Sequence, residues 1–145
     1  MTATIDFAQL QVGDALPAWV LAIDATRIVA GAIATRDFMP VHHDRDYANQ
    51  QGAPDIFVNI LSDTAMCSRY LTDWAGPNAM VRKLAIRLGV PLHPGHTLTF
   101  TGRIVATSVE GDEGIVAIEF TGTNEMGEHV GGTATIGLPV TGVRP

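Results

Sequence analysis

The second half of the chain keeps a two-residue rhythm. VRKLAIRLGV (81–90) alternates apolar and polar positions, and HTLTFTGRIVATSV, GIVAIEFTGTN and HVGGTATIGLPV follow at short spacing. Alternation with period two puts neighbouring side chains on opposite faces of an extended strand, so each segment predicts a strand with one buried face. The connections PLHPGH, EGDEG and NEMGE carry the Gly, Pro, Asn or Asp that tight turns need. Short turns between long strands predict antiparallel neighbours.

The first half has no such rhythm. LQVGDALPAWVLAI opens on a Gly13-Asp14 turn and runs into an alternating apolar segment, and TRIVAGAIAT (26–35) predicts a strand. Residues 36–55 are polar and broken by two prolines and a glycine, which predicts loop with a short helix near Tyr47–Gln50. Next comes PDIFVNILSDTAMCSRYLTDWAG. Asp55 is a plausible N-cap, and Gly76 with Pro77 is a stop. Between them apolar or small residues fall on nearly every side, which predicts a buried helix over about 56–74, with Arg69 and Asp73 as its polar edge. The order of strand, loop, long helix and meander predicts an α+β fold, a curved antiparallel sheet wrapped around one central helix. A chain of 145 residues is one domain, 1–145, by size.

Composition adds a partner and removes some functions. An apolar content of 46% and a mean hydropathy of +0.19 predict that part of the surface is buried against another subunit. A net charge of −6 argues against nucleic acid, which requires a basic face. The single cysteine, Cys67, fits a reducing compartment. The first residues, MTATIDFAQLQVGD, lack the basic start and apolar run of a signal peptide, and no stretch approaches the roughly 20 apolar residues of a membrane span. Together these predict a soluble cytoplasmic protein.

Candidate chemistry concentrates in ATRDFMPVHHDRDYA (34–48), where Asp37, His42, His43, Asp44 and Asp46 crowd around Pro40. A carboxylate and a neutral imidazole held together can share one water, accept its proton and return one. The same residues also suit a solvated acidic loop, and spacing alone favours that reading. A metal site is disfavoured, since adjacent residues seldom aim at one ion and no metal-ligand spacing such as HExxH or CxxC occurs. Cys67 reads as a small buried hydrophobe. His93, His96 and His129 flank turns and read as exposed; Arg82, Lys83 and Arg87 read as solvated strand charges on alternating sides. The first amides of the long helix, near Ile56–Asn59, carry partial positive charge, and beside the Asp/His loop they could hold a carbonyl oxygen.

RDFMPVHHD resembles the motif of the MaoC-like, hot-dog-fold enoyl-CoA hydratases, in which an Asp is followed two later by Asn, three later by Pro and five later by His. Asp37, Pro40 and His42 match, and Met39 stands in place of the Asn. The resemblance extends to VGDALP, DIFVNIL, HPGHTLTF and NEMGEHVGGTATI. With its helix, DIFVNILSDTAMCSRYLTDWAGP, the chain specifically resembles the small catalytic subunits of actinobacterial steroid side-chain hydratases, which act on a pregnadiene-carboxyl-CoA in cholesterol degradation.

The resemblance implies a single hot-dog domain that hydrates an α,β-unsaturated acyl-CoA. Asp37 and His42 would be catalytic, with Pro40 setting their loop. The Asn59 backbone N–H would hold the thioester oxygen, although Val58-Asn59 replaces the family's usual His-Gly. No metal or redox cofactor is implied; the substrate itself carries coenzyme A. The implied partner is a second, non-identical MaoC-like subunit completing a double hot-dog. A homodimeric hydratase of fatty enoyl-CoAs and a non-catalytic acyl-CoA-binding subunit remain the alternatives.

Overall fold

The computed structural model describes residues 3–140. Five strands form one antiparallel sheet: β1 (Ala15–Ala22), β2 (Met80–Leu88), β3 (Thr97–Glu110), β4 (Glu113–Asn124) and β5 (Gly127–Pro139), in the order β1-β3-β4-β5-β2. Three helices complete it: α1 (Ala25–Ala34), α2 (Arg45–Gln50) and α3 (Ile60–Ala75). The sheet curls around α3, as the sequence predicts.

Alternation sets the buried face. Along β4, Val116, Ile118 and Phe120 point inward, and Leu98, Phe100 and Ile104 of β3 and Ile136 and Leu138 of β5 join them. The helix meets this face with Cys67, Tyr70, Leu71 and Ala75, a stripe of helical period. Tyr70 stacks on Phe100 at 5.2 Å between ring centroids, and Trp19 stacks on Phe100 at 5.5 Å. Each large side chain sealed here contributes about 1.5–3 kcal/mol relative to exposure. At the end of α3, Gly76 takes φ 88°, and a Cβ there would meet Thr4 Cα at 2.5 Å. Glycine alone fits that turn without strain.

Four elements differ from the sequence reading. Residues 26–35 form α1 instead of a strand. The Asp24 carboxylate caps it by accepting the Arg27 N–H at 2.7 Å, and Ile28 and Ala32, one turn apart, are the residues it buries. Its β-branched residues mimic a strand, while the cap is the signal that decides.

The long helix begins at Ile60, four residues later than predicted, and Asn59 caps it in place of Asp55. The backbone just before it is already engaged elsewhere: Val58 N–H donates to Leu92 O at 3.0 Å, and the Ile56 and Phe57 carbonyls accept from histidines. Nor is α3 buried all round, since Ile60 and Leu61 are half exposed.

PLHPGH does not close a hairpin. β2 pairs with β5 at the sheet edge, so residues 89–96 carry the chain across the sheet to the interior strand β3. Finally, a bulge between Val81 and Lys83 shifts the alternation in β2. Arg82, Lys83 and Arg87 therefore all face solvent, with Arg82 paired to Glu113 and Arg87 to Glu128.

Candidate active site

The site is assembled where α1 ends and α3 begins. Thr35 caps α1, and Arg36 follows at φ 56°, the one positive φ outside glycine among the described residues. Arg36 N–H donates to Ile33 O and Asp37 N–H to Ala32 O at 2.9 Å, so the chain reverses and Asp37 leaves the helix axis. Pro40 opens a single 3-10 turn, Pro40–His42, where its missing N–H costs nothing and its fixed φ suits the turn. That turn brings His42 back to Asp37.

His42 is buried and its role is set by its partners. Nδ1 lies 2.7 Å from Phe57 O, a carbonyl that can only accept, so Nδ1 carries the hydrogen. In the neutral ring Nε2 is then a bare acceptor, and it faces Asp37 Oδ2 at 3.4 Å. Two acceptors this close do not satisfy each other. Together they can hold a water by both of its hydrogens, which is the arrangement needed to take one proton and return another.

Asp37 is half-buried and its carboxylate is held from two sides. Oδ1 accepts the Met39 N–H at 3.3 Å, and Oδ2 accepts Asn59 Nδ2–H at 2.9 Å. The Asn59 hydrogen bond, aided by the Met39 N–H and, when the ring is protonated, by the charge of His42, outweighs the cost of desolvation and holds the Asp37 pKa below the usual carboxylate value. The carboxylate thus stays ionised across the neutral range.

Asn59 does more than the sequence reading assigned to it. As N-cap of α3 it accepts the Ser62 N–H at 3.1 Å through Oδ1, and its Nδ2 donates to both Asp37 and Thr35 Oγ1. Its own N–H and those of Ile60 and Leu61 find no acceptor among the described residues. These amides lie at the positive end of a 16-residue helix, beside Asp37. Neither Thr35 nor the Asn59 side chain was singled out in the sequence; the available signal was a cap residue preceding an apolar helix.

The rest of the acidic cluster serves α2 or faces solvent. His43 is exposed, Asp44 caps α2 by accepting the Tyr47 N–H at 3.0 Å, and Asp46 sits in the first turn of α2. Among the described residues no group of three or more His, Cys, Asp or Glu is arranged to hold a metal ion. Cys67 is buried, as expected, and burial pushes its thiol up to about 12. Two histidines depart from expectation. His93 is buried with Nδ1 on Ile56 O at 2.9 Å, and His129 is buried against Asp63, 2.9 Å from Nε2 to Oδ1. Residues flanking turns read as exposed, but His93 turns inward from the crossover onto Ile56, and His129 turns inward from β5 onto Asp63 of α3. No described helix is long and apolar enough to cross a membrane.

No protein-family model matches the chain. The beta subunit of the 3-oxo-4,17-pregnadiene-20-carboxyl-CoA hydratase of Mycobacterium tuberculosis is 49% identical over 127 residues, 88% of this chain and 94% of that protein. The crystal structure of the ChsH1-ChsH2 complex from the same organism superposes with a TM-score of 0.82 at 46% identity, covering 88% of this chain and 98% of that one. The (R)-hydratase PhaJ1 of Pseudomonas aeruginosa shares the fold at a TM-score of 0.79 and 20% identity, over 98% and 95% of the two chains. An Asp/His pair framed by a helix start, on a hot-dog fold shared with MaoC-like proteins, is thus joined to close sequence identity over most of the chain. The chain belongs to the family of the pregnadiene-carboxyl-CoA hydratase beta subunit, a MaoC-like enoyl-CoA hydratase family.

Proposed function

We propose that this chain is the catalytic subunit of a two-subunit enoyl-CoA hydratase that adds water across the α,β double bond of a steroid side-chain acyl-CoA. The observation that carries this reading is the Asp37–His42 pair, two acceptors 3.4 Å apart beside the amides that open α3. A water bridging Oδ2 and Nε2 gives one proton to the pair as its oxygen attacks the β-carbon. The pair delivers one proton to the α-carbon on the same face, so H and OH are added and nothing is oxidised. The Asn59 N–H holds the thioester oxygen while enolate charge builds, a contribution of about 3–4 kcal/mol for one such donor. The proton taken from water is balanced by the one returned to the α-carbon, so the step as written calls on no metal or redox group. Pro40 contributes by setting the turn.

The surroundings support an apolar substrate and a partner. Ile33, Phe38, Met39, Ile60 and Leu61 flank the site in sequence and are exposed, with Phe38 at 66%. Exposed large apolar side chains on the segments that carry the site fit burial under a second, unlike MaoC-like subunit and a ring system. The relative's membership in a two-chain complex favours that partner over a second copy of this chain. A cytoplasmic place fits the single buried thiol.

Co-expression with the gene product of the neighbouring reading frame, followed by sizing and a hydration assay, tests the reading. The complex is expected to hydrate a steroid side-chain enoyl-CoA faster than straight-chain fatty enoyl-CoAs. Faster turnover of fatty substrates by this chain alone would overturn both the substrate and the partner.

A further inference from the structure

The Asn59 side chain sits at a junction that its capping role does not require. Oδ1 accepts the Ser62 N–H, while the two Nδ2 hydrogens go to Thr35 Oγ1 and Asp37 Oδ2, each at 2.9 Å. The amide cannot be turned over. Reversal would set its carbonyl against the Asp37 carboxylate and its NH2 against the Ser62 N–H, two contacts between like groups. Thr35 Oγ1 spends its own hydrogen on Gly31 O at 2.8 Å, so it can only accept from Asn59. Gly31 lets α1 and α3 approach closely enough for this, since a Cβ there would overlap Ser62 Oγ. Asn59 is 3% exposed, so water does not compete for these bonds.

We infer that the Asn59 side chain is a positioning residue for the hydration step: it clamps the Asp37 carboxylate to α1 and α3 with Oδ2 turned toward His42 Nε2. The inference rests on the function proposed above but concerns a different atom from the Asn59 N–H. Only a primary amide meets all of these contacts. Asp, Ser and Gly can each cap a helix, yet none can donate to Asp37 while accepting from Ser62 and bonding Thr35. The amide also accounts for the lowered Asp37 pKa, of which it is the largest cause.

The test compares Asn59→Ser, Asn59→Asp and Asn59→Gly in the co-expressed complex. All three keep the residue's N–H, and Ser keeps the cap, so the melting temperature of Asn59→Ser should stay near wild type, while Asn59→Asp, which sets a second buried carboxylate against Asp37, should melt lower. In Asn59→Ser, kcat should fall by up to about 10²-fold with a much smaller change in KM, and the acidic limb of the pH profile should move to higher pH. In Asn59→Asp the limb should move further, because two neighbouring carboxylates resist ionising together. Asn59→Gly should resemble Asn59→Ser in kcat while melting slightly lower. Thr35→Val, which removes one anchor of the amide, should shift the limb the same way by less.

A second readout needs no substrate. The carboxyl 13C titration of Asp37 should have a higher midpoint in Asn59→Ser than in wild type. A folded Asn59→Ser protein with an unchanged Asp37 midpoint overturns the inference whatever the activity, as does wild-type kcat with an unmoved acidic limb. An inactive wild-type complex whose Asp37 midpoint still shifts would instead refute the proposed reaction and leave the clamp standing.

Discussion

Two Asp–His pairs lie about the first turn of α3, one held through its cap Asn59 and one through Asp63, and they are finished to different degrees. In both, Nδ1 of the histidine lies 2.7 Å from a backbone carbonyl, Phe57 O for His42 and Val90 O for His129, which fixes the ring. In both, Nε2 points at an Asp. His129 reaches Asp63 at 2.9 Å with the two side chains 3% and 1% exposed, whereas His42 stands 3.4 Å from an Asp37 that is 27% exposed. The inner pair is a closed hydrogen bond with no room for a reactant. The outer pair is open by half an ångström and reachable from solvent. The residue types are the same in both, so the chemistry proposed for Asp37 and His42 rests on an unfinished bond that water and substrate can enter.

The largest effect should come from the open pair. Asp37→Asn keeps shape and removes charge, and His42→Ala removes the ring; each should lower hydration by at least about 10³-fold in a steady-state assay. Both should remain folded by circular dichroism, although His42→Ala leaves the Phe57 carbonyl unpaired at a cost of about 1–3 kcal/mol. Appreciable turnover by Asp37→Asn would place the chemistry elsewhere.

The closed pair should show the reverse. Asp63→Ala leaves His129 buried without its carboxylate, which costs about 3–5 kcal/mol for a broken buried pair and lowers the melting temperature by roughly 10–15 °C. Asp63→Asn, which can still bond Nε2, should lose much less. Asp63→Ala melting like wild type would show that the pair holds nothing together.

Legibility follows the same division. Asp37, Pro40 and His42 lie within six positions, so their pairing is visible in the sequence once a family motif is matched to it. Asp63 and His129 are 66 positions apart, and no local pattern announces that β5 will bring them together. The four strands from β2 to β5 are legible because period-two alternation is a property of the strand itself. The partner of β2 is not legible, because pairing depends on where residues 89–96 go and they cross the sheet. Misreading α1 has the same origin. Its β-branched residues speak for a strand, while the cap at Asp24 and the close approach at Gly31 speak for a helix packed on α3. The start of α3 was displaced because Ile56–Val58 use their backbone in bonds to distant residues.

A titration separates the pairs again, more gently. Burial opposes the His129 imidazolium, but the Asp63 carboxylate and the Val90 carbonyl outweigh it and raise the pKa above its ordinary 6.5. A group raised on folding stabilises fully below its unfolded value and loses that contribution as pH rises through the folded one. Wild type should therefore lose stability relative to Asp63→Asn as pH climbs above about 6.5, read as denaturant midpoints at each pH. Asp37 runs the other way: its lowered pKa gives a contribution present above the ordinary carboxylate range and lost as pH falls through the folded value. Parallel curves for the two proteins above neutral pH would mean that His129 is not charged in the fold.

The smallest effect concerns the turn that opens the outer pair. Arg36 adopts φ 56° with its side chain exposed, at the position after a helix cap where glycine is usual. A left-handed conformation costs an ordinary residue roughly 1–2 kcal/mol, while glycine gives back roughly 0.5–1 kcal/mol through a freer unfolded chain. Arg36→Gly should thus gain about 0.5–1 kcal/mol, seen as a higher urea midpoint with the same slope. The two hydrogen bonds of the turn, Arg36 N–H to Ile33 O and Asp37 N–H to Ala32 O, are backbone bonds that glycine can keep. Asp37 should therefore stay in place and the hydration rate should change little. A more stable protein with sharply reduced kcat would show that the stiffness of Arg36, and not only the turn it makes, keeps Asp37 half an ångström short of closing on His42.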